Sequence, residues 1–164
     1  MNLYLVRHAQ PQANSGDPPL STDGVQQAAK VAALFARVDP PRDRLTLLAS
    51  TLMRARRTAE SLAQKLGVAA TDIVTFPGPE DEVDDLTGRL LLRLQALAAA
   101  GRTELIVVGH SNYLPPTAAR LLGTVAAPFP GGEAFAATAC LVCDGTFAPA
   151  SASLRWLVLP ELLS

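Results

Sequence analysis

Leu105-Ile-Val-Val108, leading directly into Gly109-His110-Ser111, decides how the rest of this chain is read. Four apolar residues in a row leave no polar face, as in a strand covered on both sides at the centre of a parallel sheet. Just upstream, Leu86–Ala100 reads as a helix with Gly101 at its end. Just downstream, a helix runs from His110 to about Leu122, with Pro115 and Pro116 tolerable only in its first turn. Asn2–Arg7 is a second short apolar strand. Ser21 or Thr22 caps a helix over Gly24–Val38 that Pro40-Pro41 ends, with Val25, Ala28, Ala29, Ala32 and Phe35 on one stripe. Leu45–Ala49 is a strand, Thr51–Leu66 a helix stopped by Gly67, and Asp72–Phe76 a weak strand. Phe135–Cys143 and Ser153–Leu159 are the last strands, with Asp144-Gly145 at the turn out of the first. Alternation of β and α segments predicts a three-layer α/β/α sandwich with a mainly parallel central sheet and a C-terminal antiparallel hairpin, one domain over residues 1–164.

Composition narrows the function classes. About half the chain (49%) is hydrophobic and 18% is charged, which excludes a disordered chain. A formal net charge of −1 does not suit a protein that coats nucleic acid or an anionic membrane, although 12 of the 14 basic residues are arginine. No apolar run approaches the roughly 18 residues of a membrane span. The longest candidate, Leu90–Ala100, is interrupted by Arg93 and Gln95. The N-terminus carries no basic, then apolar, targeting pattern, so the expectation is a soluble cytoplasmic protein.

Cys140 and Cys143 have the C-x-x-C spacing of zinc or redox sites. They sit in the apolar run Ala136–Cys143, and residues three apart on a strand point to opposite faces, which is wrong for a shared metal. A zinc site would need two further ligands, and His8 and His110 are the only histidines. The cysteines read as small buried hydrophobes, and neither a metal nor a cofactor is expected.

Both histidines stand where a strand ends: His8 after Asn2–Arg7 and His110 after Leu105–Val108. In open α/β sheets, ligands bind beyond the carboxyl ends of the strands. The Leu45–Ala49 strand leads into Ser50-Thr-Leu-Met-Arg54, bringing a second arginine besides Arg7 to that edge. A single histidine at a strand end is more often structural than catalytic. Two histidines and two arginines at one rim form a pocket for an anion, because guanidinium groups fork onto phosphate oxygens.

These same segments carry a family resemblance. Arg7-His8-Ala9 resembles the R-H-G/A motif of the histidine phosphatase superfamily, and Pro19-Leu-Ser-Thr-Asp-Gly24 with Gln26-Gln-Ala28 resembles its P-L-[ST]-x-x-G-x-x-Q-A segment. Ser50-Thr-Leu-Met-Arg54-Ala-Arg-Arg-Thr-Ala59 resembles S-x-x-x-R-A-x-x-T-A, and Gly109-His110-Ser111 resembles the G-H-S motif. The segments stand in the family's order, and the short span from Arg54 to His110 looks most like the small bacterial phosphohistidine phosphatases.

The resemblance implies a metal-independent phosphatase. His8 would attack phosphorus to form a phosphohistidine that water hydrolyses, while Arg7, Arg54 and His110 hold the phosphoryl oxygens. Ser111 joins the phosphate-binding set. Asn14 matches a phosphate-contacting asparagine of longer members and equally reads as a loop residue. Glu80 and Asp81, in the acidic run Glu80–Asp85, are the candidate proton donors, although such a run also reads as a solvated helix N-terminus. The partner would be a phosphorylated substrate, either a phosphohistidine protein or a small phosphate ester. A phosphate-binding module without turnover is the alternative of a different class, and the activated histidine argues against it.

Overall fold

The computed structural model of the chain describes residues 1–13, 16–69, 74–76, 85–126, 129 and 134–163. Among the described residues, ten α-helices and β-strands follow one another: β1 (Asn2–Arg7), α1 (Thr22–Val38), β2 (Leu45–Ser50), α2 (Met53–Leu66), β3 (Val74–Phe76), α3 (Leu86–Ala99), β4 (Glu104–Gly109), α4 (Leu114–Leu122), β5 (Thr138–Cys143) and β6 (Ala152–Val158). The strands form one sheet in the order β3-β2-β4-β1-β5-β6. Neighbours from β3 to β1 are parallel, while β5 runs antiparallel to both β1 and β6. This is the expected mainly parallel sheet closed by a terminal hairpin.

Side-chain alternation divides the core into two layers. On one face, Tyr4, Val6, Leu47, Ala49, Ile106 and Val108 pack with Val31 and Phe35 of α1 and with Ala59 and Leu62 of α2. On the other, Leu3, Leu5, Leu48, Leu105 and Val107 pack with Leu90 and Leu94 of α3 and with Leu114 and Leu121 of α4. Strand β4 sends alternate residues into both layers, which is why it carries no polar position between Leu105 and Val108. Cys140 lies in the first layer and Cys143 in the second. Burial pushes the Cys140 thiol up to about 11 and that of Cys143 to about 12, so both remain protonated apolar fillers.

The elements depart from the sequence expectations where tertiary contacts intervene. Ser21 is the cap of α1: its hydroxyl accepts from Gly24 N at 3.0 Å and the helix starts at Thr22. The stripe is rotated from the expected one. Gly24, Ala28, Val31, Ala32 and Phe35 are buried, while Val25 and Ala29 are exposed. Close docking at Gly24 sets that rotation, since a Cβ there would meet the Gln10 carbonyl oxygen at 2.0 Å. Helix α2 begins at Met53 rather than Thr51, because Ser50 Oγ accepts from Leu52 N and the Asp17 carboxylate from Met53 N. Strand β5 begins at Thr138 rather than Phe135: Ala136 has a φ of 55°, which turns the chain out of the extended conformation. No helix among the described residues is long and apolar enough to cross a membrane.

Candidate active site

The site is assembled from the carboxyl ends of adjacent strands. Arg7 ends β1 opposite Gly109 of β4, so His8 and His110 leave neighbouring parallel strands at the same level. His8 N donates to Gly109 O at 2.9 Å, and the two imidazole rings lie 4.9 Å apart at 55°. Ser50 ends β2 on the far side of β4, and its Oγ is 2.8 Å from His110 Nε2. Beyond β1, Phe135 precedes β5. Its ring centre is 4.6 Å from the Arg7 guanidinium carbon and 5.7 Å from the His8 ring centre. Arg7, His8, Ser50 and His110 are all buried.

Electrostatics keep both imidazoles neutral. The Ala9 carbonyl lies 2.8 Å from His8 Nδ1 and can only accept, so Nδ1 carries the proton and Nε2 keeps its lone pair. Burial, with Arg54 and Arg7 adding to it, depresses His8 to about 4 despite the opposing Ala9 hydrogen bond. His110 falls to about 2, first from burial and then from His8 and the same arginines. Burial also lowers the Arg7 guanidinium below its ordinary value. A neutral nucleophilic nitrogen thus stands within a positive field at ordinary pH, an arrangement that favours an anion.

The loop after His8 is held by the motif residues around it. Ala9 N donates to Thr58 Oγ1 at 3.0 Å, and Thr58 Oγ1 donates to Arg54 O at 2.8 Å, linking the chain after His8 to the helix that carries Arg54. Gln10 N donates to Gln27 Oε1 at 2.9 Å, and Ser21 N donates to Gln10 O at 2.9 Å. Asp17 accepts from Met53 N at 2.8 Å and lies 3.6 Å from Arg54 Nη1, joining the same loop to the head of α2. Gly109 has its own reason: a Cβ there would lie 2.2 Å from the Tyr113 hydroxyl, which is buried with no hydrogen-bond partner among the described residues.

The residues singled out in the sequence are distributed as follows. Arg7, His8 and His110 lie side by side, and Arg54, in the first turn of α2, is close enough to depress both histidines. Ser111 sits on the exposed turn after His110. Asn14, Glu80 and Asp81 lie outside the described residues. Strand β3 ends at Phe76, level with Ser50 and with its ring 5.7 Å from that of Tyr113. Ser50, Thr58, Asp17 and Phe135 escape a search for catalytic residue types. Ser50 and Thr58 did have a signal, as the first and ninth positions of the segment around Arg54. Phe135 had none, because it reads as a strand residue. Among the described residues, no three His, Cys, Asp or Glu side chains cluster as a metal site.

Residues 3–78 match the family model of the histidine phosphatase superfamily (branch 1). No curated protein matches the chain in sequence. Among solved structures, the protein histidine phosphatase SixA complexed with tungstate is similar at a TM-score of 0.81 and 21% identity, covering 98% of each chain. The mycobacterial glucosyl-3-phosphoglycerate phosphatase is similar in its VO3 complex, with a TM-score of 0.70 and 19% identity over 94% of this chain and 97% of that one. In its inorganic phosphate complex it has a TM-score of 0.73 and 18% identity over 98% and 99%. The motif order, the fold shared along the chain and the match over its amino-terminal part point to the same likeness. Over residues 3–78 this chain is similar to the histidine phosphatase superfamily (branch 1), and along its length it has the fold of these solved phosphatases.

Proposed function

We propose that this protein is a metal-independent phosphatase that works through a phosphohistidine on His8. The observation that carries the reading is the state of His8: buried, neutral and oriented by the Ala9 carbonyl, with Nε2 left as the nucleophile beside two arginines and His110. In the first step Nε2 attacks phosphorus and the bond to the leaving group breaks. In the second, water attacks the same phosphorus and the His8 nitrogen leaves. Arg7 and Arg54 offset the charge of the phosphoryl oxygens. Ser50 Oγ, which accepts from Leu52 N, lies 2.8 Å from His110 Nε2, and in this mechanism it turns its proton toward that nitrogen. That leaves Nδ1–H of His110 as the donor available to substrate, making Ser50 a positioning residue. Ser111 is assigned a supporting place at the phosphate.

The substrate reading follows from leaving-group chemistry. An alkoxide needs a positioned proton donor, an effect worth about 10²–10⁴-fold, whereas an imidazole departs far more easily. SixA, a protein histidine phosphatase, and the glucosyl-3-phosphoglycerate phosphatase exemplify the two kinds of substrate in this fold. With Glu80 and Asp81 as the proposed donors, Glu80→Gln and Asp81→Asn lower turnover of phosphohistidine or aryl phosphate less than about tenfold. A loss of about a thousandfold confined to alkyl phosphate assigns the altered residue as the acid and makes the protein a phosphomonoesterase.

Trapping tests the covalent step. After brief incubation with substrate carrying labelled phosphate and a quench in base, the label is expected on His8 and absent in His8→Ala. Chelators are expected to leave turnover unchanged. An unlabelled wild type under rapid quench overturns the covalent mechanism, and anion binding without any turnover identifies a phosphate-binding module.

A further inference from the structure

The mechanism above uses the charged and titratable groups of the site but leaves its aromatic wall without a role. Phe135 is half-buried, whereas Arg7 and His8, which it touches, are buried, so part of the ring remains open at the rim. Its position is held on both sides. Ala136 N donates to His8 O at 3.1 Å, and Arg7 N donates to Ala137 O at 3.0 Å. Between these bonds Ala136 adopts a φ of 55°, a conformation that an alanine enters at a cost. The backbone is therefore bent beside the reacting histidine, at the point where the sequence predicts an extended strand, and Phe135 lies on the far side of the bend from β5.

We propose that Phe135 is a specificity-determining residue, a platform against which the planar leaving group of an aryl phosphate or phosphorylated imidazole lies during transfer to His8. In-line displacement places the leaving atom on the side of phosphorus away from His8, toward the opening. Arg7 covers part of the Phe135 ring through a cation–π contact, and the exposed remainder offers an apolar surface with a π-system. A flat ring gains offset or edge contact there, while a saturated ring of equal size gains only apolar contact. The inference rests on the phosphatase reading of the site and adds the class of leaving group.

Calorimetric binding of inorganic phosphate, phenylphosphonate and cyclohexylphosphonate tests the platform without requiring turnover. Wild type is expected to bind the phenyl compound roughly three- to tenfold more tightly than the cyclohexyl one. Phe135→Leu brings that ratio close to one, and Phe135→Tyr, which keeps the ring, preserves it. Phe135→Ala provides a second truncation, each variant being checked for a cooperative melt. An unchanged ratio in folded Leu and Ala variants overturns the platform. Equal weakening of all three ligands also overturns it, since Phe135 would then act only by holding Arg7. A wild type that binds the two organic anions but not phosphate, or none of the three, overturns the phosphate-site reading itself and the platform with it.

Discussion

At the scale of single residues, burial decides the chemistry of His8 and His110. An imidazole in water is half protonated near 6.5, and here the rings are held down to about 4 and about 2. The acid limb of kcat/KM that belongs to the enzyme is therefore expected near pH 4, well below an ordinary histidine. It is measured with a substrate whose own ionisation is known. Stability moves in a definite direction as well. Above about pH 6.5 both folded and unfolded histidines are neutral and the contribution is complete. As pH falls from there toward 4, the unfolded chain takes up protons that the folded pocket refuses, and stability is lost. The melting temperature of wild type should drop through this window, and that of His8→Gln should drop less. Ser50 acts through its neighbour. Ser50→Ala is expected to lower kcat by up to about a hundredfold through misorientation of His110, with a smaller change in KM, and a serine-to-threonine exchange should restore part of the loss.

At the scale of elements, the loop between β1 and α1 is held from several directions, and its anchors account for the motif residues with no chemistry of their own. Gly24 lets α1 approach Gln10, and Thr58 binds Ala9 to α2. Gly24→Ala must move backbone against backbone, costing about 1–3 kcal/mol. Thr58→Val leaves the amide of Ala9 without that partner in a buried place, costing about 1–3 kcal/mol. Both variants are expected to lower the melting temperature and also turnover, because the displaced residues adjoin His8. Ala29→Ser serves as the control: this position is exposed, and neither property should change. The exposed Ala29 also marks where periodicity misled. Alanine is compatible with either side of a helix, so five small or apolar residues on one arc did not determine the buried line. The contact at Gly24 did.

At the scale of the whole molecule, residues from β1, β2, β4 and the segment before β5 meet at one rim, so an anion there ties together parts of the chain distant in sequence. Vanadate or tungstate is therefore expected to raise the melting temperature of wild type. At about a hundredfold excess over Kd the added stability is about 2.7 kcal/mol. Arg54→Ala should weaken the anion and reduce the shift at equal concentration, as followed in a thermal melt. A shift of the same size in Arg54→Ala at equal vanadate would place the anion elsewhere on the surface.

The sequence by itself determined the layer architecture. Leu105–Val108 has no polar position, the intervening segments have helical spacing, and both follow from burial and period alone. It also determined that His8 and His110, each just beyond an apolar strand, lie at the carboxyl edge of a parallel sheet, while the adjacency of the two strands that brings them together belongs to the fold. Tertiary structure decided everything that depends on which surfaces meet. Strand order put Ser50 beside His110 and Phe135 beside His8, although 60 residues separate the first pair in the chain. The positive φ of Ala136, the tautomer set by the Ala9 carbonyl and the depressed basicity of both histidines come from contacts and exclusion of water. Local sequence carries the period of an element, but the burial of a side chain and the partner of a proton exist only once the elements have packed.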